Sequence, residues 1–402
     1  MFFSALTTSA LVASASATKL YVSSYTGIIT TLNLTKTNGA DHLAQLESNN
    51  ACQPNASWLH LDAKNHNLYC VDEGMTSLNG TLNSFKLDPL TGALSLINRT
   101  TTLPAPVHSN LYTSPNGTQL LAVAHYTSGL TTYRLDPLTA AFRPSQVFNF
   151  TLDHPGPVPS RQAGSHPHQV LIDPSNTYLL IPDLGGDLLR IFYIDPTTLL
   201  LSPRPSIPVV PGSGPRHGAF TTLHRGLGSI PQTLYYLVTE LANTLTGYRV
   251  SYLPQNGGLA LTAFTHTSTY GPSNATVFAG NAAAEIMVAK DGKSLLVSNR
   301  NATFFEIANP DPKNATRIPS DTMAEFSIGP DGGVAFGELT PAGGSYARSF
   351  SENKEGGLVA VGLQNSGRVV IYERCKMTGK MGKDVLADFE GLGGVTNVVW
   401  GE

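Results

Sequence analysis

A handful of short motifs gather the residue types that acid–base chemistry needs. They are His166-Pro167-His168, Gly214-Pro215-Arg216-His217, Thr239-Glu240, Ala284-Glu285 and Ser298-Asn299-Arg300. Histidine titrates near neutrality and serves as a general base or acid. A glutamate does the same where burial raises its pKa. Arginine stabilises a developing oxyanion or holds an anionic group. Only 13% of the 402 residues are charged, about half the usual 25%. Charges this sparse make a recurrent gathering of His, Arg and Glu informative.

The elements that must position these residues recur along the chain. One unit consists of a short strand, a turn rich in Asp, Pro and Gly, and an apolar strand ending in polar residues. Copies begin near Trp58, His108, His168, Arg216, Glu285 and Arg348, separated by 50, 60, 48, 69 and 63 residues. A third strand follows in each copy, as at Asp187–Tyr193, Thr244–Val250 and Gly367–Tyr372, and a fourth fits in the spacer. Four antiparallel strands at this period describe propeller blades. A seventh unit is split: Val395–Trp400 reads as its first strand, and Lys19–Ser24 and Gly27–Leu32 as its second and third. Pairing the termini closes the ring and removes exposed edges. The predicted fold is all-β, a single seven-bladed β-propeller over residues 18–402.

In such a blade the start of the first strand and the end of the second meet at one end. This predicts one channel mouth lined by His108, His125, His168, Asp183, Arg216, Glu240, Glu285, Asn299, Arg300, Arg348 and Gln364. A mouth of that composition is a candidate site. The plainer alternative for Arg348 is a pair with Glu285 that serves blade closure.

Composition bounds the partners. The chain carries 25 Lys+Arg against 28 Asp+Glu, a formal net charge of -3. No basic excess exists to neutralise a nucleic-acid backbone. No stretch reaches the ~18 apolar residues a membrane span needs. Residues 1–17 combine a short apolar run with Ala15-Ser16-Ala17, a secretory signal pattern. Glycosylation sequons stand at Asn33, Asn55, Asn79, Asn98, Asn116, Asn149, Asn274, Asn301 and Asn314. Leader and sequons together predict a secreted, extracellular glycoprotein. Of Cys52, Cys70 and Cys375, the local pair Cys52–Cys70 is the expected bridge in an oxidising compartment, the alternative being three free thiols. No cysteine–histidine cluster has zinc spacing, and no phosphate loop, dinucleotide fingerprint or serine-hydrolase elbow occurs. No cofactor is expected, although a divalent cation on channel carboxylates stays open.

The motif segments, in their order on successive blades, resemble the seven-bladed β-propeller lactonase family. That family includes bacterial 6-phosphogluconolactonases, fungal carboxy-cis,cis-muconate cycloisomerases and secreted fungal aldonolactonases. The matching pieces span about residues 105 to 370. In the cycloisomerase branch the implicated residues fall, by resemblance, on His168, Arg216, Glu240 and Arg300. Two departures are the long loop between Arg216 and Glu240 and a Thr at 239, where family members often carry Asn.

The resemblance, taken with the leader and sequons, implies hydrolysis of a sugar lactone outside the cell, and a monomer is expected. His168 or Glu240 would activate water, and Arg216 and Arg300 would steady the oxyanion. His108, His217, Glu285 and Arg348 would contact substrate. The first alternative is a cycloisomerase whose arginines clamp carboxylates. The second is a non-enzymatic binding propeller, in which the polar residues merely pair with each other.

Overall fold

A computed structural model of the chain describes residues 18–224, 230–272 and 279–402. The leader, residues 1–17, and the sequon at Asn274 lie outside these. The described residues form seven four-stranded antiparallel sheets and one two-stranded hairpin. Strands form where β-branched, Leu and Tyr residues run uninterrupted, as in Gln232–Thr239 and Arg368–Arg374. Gly-, Pro- and Asp-containing turns end them.

Blades one to six begin with Ala56–Asp62, Pro106–Thr113, Leu171–Ile172, Pro215–Leu223, Ala282–Val288 and Ala347–Glu352. The split seventh blade is as the sequence predicts. Val395–Trp400 pairs antiparallel with Thr18–Ser24, which pairs in turn with Ile29–Thr37 and then Ala40–Asn49. The closure is also polar: Ser23 and Thr396 hydroxyls meet at 2.8 Å, and Thr396 donates to Ala56 O on blade one at 2.8 Å. First strands of successive blades lie against one another around the axis. Apolar side chains fill the gaps between neighbouring sheets, so the core is distributed rather than central. Tyr21 and Ile29 of blade seven, for example, pack with Leu59, Leu68 and Phe85 of blade one. The Cys52–Cys70 disulfide is buried in this same gap, while Cys375 is a free thiol.

Two details depart from a regular repeat. Blade three has a first strand of two residues, Leu171–Ile172, because the bulged segment His168–Val170 separates it from the isolated Pro167–Asp183 bridge. Blade five carries an inserted hairpin, Phe305–Ala308 with Arg317–Ser320, between its second and third strands. Among the described sequons, Asn79, Asn116, Asn149, Asn301 and Asn314 are exposed, whereas Asn33, Asn55 and Asn98 are half-buried. No helix of the described residues is long and apolar enough to cross a membrane.

Candidate active site

A bulge recurs near the start of the first strand in most blades. The pairing register shifts between Pro106 and His108, Pro215 and His217, Ala283 and Ile286, and Ala347 and Ser349. In blade three Pro167 bridges Asp183 while Leu171 pairs with Leu180, so His168–Val170 face only two residues. A bulged residue is left out of the alternation and re-aimed. Val107, His168, Arg216 and Arg348 are such residues, and all four line one cavity of ≈ 350 Å³. The Gly214-Pro215-Arg216 motif suits this bend. Gly214 takes φ +63°, and a Cβ there would meet Leu241 Cγ at 2.5 Å. Pro215 needs no partner for an N–H it lacks.

A second ring comes from the residue directly after each second strand. Tyr25, Glu73, Tyr126, Glu240 and Asn301 hold that position in five blades and line the same cavity. Arg300, Arg161 and Tyr346 add to the wall, with Gly280 and Ala282. Arg161 sits on the loop between blades two and three, which Gln162 fastens by donating to Leu184 O at 2.9 Å.

Glu240 is the electrostatic centre. Arg216 Nε lies 2.9 Å and Arg300 Nη2 2.7 Å from its Oε2, and Arg161 binds Oε1. Burial pushes this carboxyl up, but Arg300, Arg216 and Arg161 outweigh burial and hold it well below the carboxylate range. The sequence-based route to an acid–base Glu240, a raised pKa, is therefore overturned: three guanidinium groups keep it an anion. Arg216 is buried too. Burial first, then Arg300, pulls it down to about 9, so it stays charged at neutral pH. Its Nη1 donates to Ala284 O at 2.6 Å.

Behind His168 runs a chain of buried groups. His168 Nδ1 is 3.2 Å from His217 Nε2, and His217 Nδ1 is 2.8 Å from Glu285 Oε1. Burial, reinforced by Arg216, lowers both histidines well below their ordinary value, so both are neutral. Burial raises Glu285 to about 7, against the pull of Arg216. The ionised Glu285 only accepts, so His217 carries its proton on Nδ1 and offers a bare Nε2. His168 then donates from Nδ1, which leaves its Nε2 lone pair free at the cavity. No partner for that Nε2 occurs among the described residues.

Several expected placements need correction. His217, Glu285 and His108 do not line the cavity; they form a layer beneath His168. His108 accepts from Val170 N at 3.3 Å and packs on Trp58, ring centroids 4.1 Å apart. Arg348 does not pair with Glu285; it reaches Gln364 Oε1 at 3.1 Å and sits over the Tyr25 ring. His125 and Asp183 end their second strands pointing away from the cavity. His125 Nε2 meets the Thr131 hydroxyl at 2.8 Å, and Asp183 takes bonds from Ser165 and the His166 N–H. Asn299 is likewise turned away, donating from Nδ2 to Thr269 O and the Thr322 hydroxyl. Tyr25, Glu73, Tyr126, Arg161 and Tyr346 went unnamed as site residues. The first three share the position of Glu240 in the repeat, and that register was the available signal. Among the described residues no group of three or more His, Cys, Asp or Glu is placed to hold a metal ion.

The arrangement joins a neutral histidine base, arginines fixed by a buried anion, and a polar cavity. Glu240 is consumed by pairing, as a binding-only propeller would have it, but the His168 lone pair is not.

Comparison with known proteins gives the family. Residues 19–395 match the family model described as "Lactonase, 7-bladed beta-propeller". A protein of Arthroderma benhamiae named "Probable 6-phosphogluconolactonase" is 27% identical over 86% of this chain and 80% of its own length. The 6-phosphogluconolactonase of Formosa agariphila is 28% identical over 82% of this chain and 84% of its own. The periplasmic gluconolactonase of Pseudomonas aeruginosa shares the fold, with a TM-score of 0.75 and 23% identity over 96% of this chain and 99% of that one. These matches lend no support to the cycloisomerase alternative. The chain belongs to the seven-bladed β-propeller lactonase family.

Proposed function

We propose that the chain is a secreted lactonase that opens an aldono-1,5-lactone with water to give the aldonate. The observation that carries this reading is the Glu285–His217–His168 chain, which ends in a free lone pair beside Arg216 and Arg300. His168 Nε2 takes a proton from water as its oxygen adds to the lactone carbonyl. Arg216 and Arg300, both tied to Glu240 Oε2, face the charge that grows on the carbonyl oxygen. Glu240 acts as their positioning residue. The ring C–O bond then breaks.

Glucono-1,5-lactone in a pH-stat, corrected for spontaneous opening, tests the reading. His168→Ala is expected to lose about 100-fold or more in kcat. A wild-type protein no faster than the spontaneous reaction would reject it. The leader and the exposed sequons support the compartment. Protein recovered from the medium with removable N-glycans is the expected result, and recovery only from the cytosol without glycans would overturn it.

Four cavity arginines favour a second reading, in which the lactone carries an anionic group such as phosphate. The names of the relatives point the same way. A higher kcat/KM on the phosphorylated lactone than on the neutral one, lost in Arg348→Met, would select it.

A further inference from the structure

Glu73 and Glu240 occupy one position in two blades. Glu73 follows the second strand of blade one, Asn67–Asp72, and its N–H donates to Asn55 O at 2.9 Å. Glu240 follows Gln232–Thr239, and its N–H donates to Gly214 O at 2.7 Å. Both line the same cavity. Their surroundings differ sharply. Glu240 grips three arginines, whereas no ion pair of the described residues includes Glu73. Tyr25 is its side-chain hydrogen-bond partner, and its Oε2 is buried with no bond of its own. An unspent carboxyl oxygen at the wall of a reaction cavity calls for a ligand.

We propose that Glu73 is the acid that protonates the leaving ring oxygen as the lactone opens. This deepens the lactonase reading and rests on it. As the carbonyl re-forms, the ring C–O bond breaks and its electron pair takes the Glu73 proton, giving a hydroxyl. Glu73 is left a carboxylate and His168 holds the proton taken from water. The new carboxylic acid releases its own proton to solvent, and exchange through solvent returns the proton of His168 to Glu73.

The environment suits an acid. Burial pushes the Glu73 carboxyl up, and Asp72 adds to the rise; Arg348 and the Tyr25 bond offset this only in part. Asp72 is engaged elsewhere, with the N–H groups of Asn55 and Gly74 and the Thr81 hydroxyl. The other cavity cations, Arg161, Arg216 and Arg300, are held by Glu240. Two carboxyls driven apart in this way let one site keep an anion and an acid at the same pH.

Glu73→Gln, compared with wild type on two lactones, tests the assignment. Glucono-1,5-lactone expels an alkoxide and needs the proton; dihydrocoumarin expels a phenoxide, whose conjugate acid has a pKa near 10, and needs it far less. The variant is expected to lose about 100-fold in kcat on the first lactone and only a few-fold on the second. It is also expected to lose the fall in kcat at high pH that deprotonation of Glu73 causes, while Glu73→Asp recovers part of the rate. Equal losses on both lactones, an unchanged kcat on glucono-1,5-lactone, or a retained alkaline fall would each overturn the role of Glu73 alone. A wild-type enzyme that opens neither lactone would overturn the lactonase reading and Glu73 with it.

Discussion

His217 Nδ1 stands 2.8 Å from Glu285 Oε1, with both side chains shut off from solvent. The pair decides which nitrogen of His168 carries a proton. An ionised Glu285 leaves His168 Nε2 bare, and a protonated Glu285 can donate to His217 and reverse the chain. Glu285 is raised to about 7, so the base form is present above that pH and lost below it. The kcat/KM for lactone opening is expected to rise through neutral pH. Glu285→Gln, whose amide can donate where the carboxylate only accepts, is expected to lower kcat about 100-fold and flatten that rise. A pH–rate profile of both proteins checks this.

Removing the charge of Glu240 leaves three arginines facing one another. Breaking a buried pair of this kind costs about 3–5 kcal/mol, so Glu240→Gln is expected to be strongly destabilised in urea melts. Phosphate or sulfate at millimolar levels is expected to restore part of the loss by pairing, from the cavity, with the arginines that Glu240 no longer neutralises. The sign with pH follows. The folded pKa of Glu240 lies below the unfolded value of about 4.3, so its contribution is complete above that value and fades on acidification. The variant is expected to lack this component of acid sensitivity.

Ring closure depends on Trp400. It is 6% exposed, packs with Leu20, Leu32 and Ile371, and donates from Nε1 to Ser351 O at 3.0 Å. Trp400→Ala is expected to cost about 3–5 kcal/mol. Its effect on glucono-1,5-lactone turnover at low temperature is expected to be small, because the residue is remote from the cavity wall. Thermal melting and a steady-state assay on the same sample separate the two.

The disulfide ties Cys70, in the second strand of blade one, to Cys52 in the preceding loop, 18 residues away. Cys52→Ser with Cys70→Ser is expected to lose about 2–4 kcal/mol. A reducing agent is expected to lower the melting temperature of the wild type and leave the double variant unmoved.

Blade number, strand order and the terminal closure were legible because apolar alternation and turn residues repeat with the blades. The cavity was legible only in part. Arg216, Arg300 and Glu240 sit in motifs with recognisable neighbours. Tyr126 was missed in favour of His125 because adjacent strand residues face opposite ways, and a shift of one exchanges wall for interior. The bulges at His168 and Arg216 change that count in a manner residue types alone do not reveal. Arg161 comes from an inter-blade loop with no repeat to mark it. The depth of His217 and Glu285 was not legible either, since burial depends on how closely first strands crowd the axis.

The doubled ring of wall positions has an evolutionary consequence. Four blades seat a bulged residue at the cavity and five seat the residue just past a strand end, and neither kind of seat is committed to the sheet's internal alternation. A new side chain at one seat alters what the cavity admits while the ladder beneath it stays intact. Val107 and Asn301, which hold such seats at the cavity and take no part in its ion pairs among the described residues, are therefore the places where substrate range can drift with the least cost to folding.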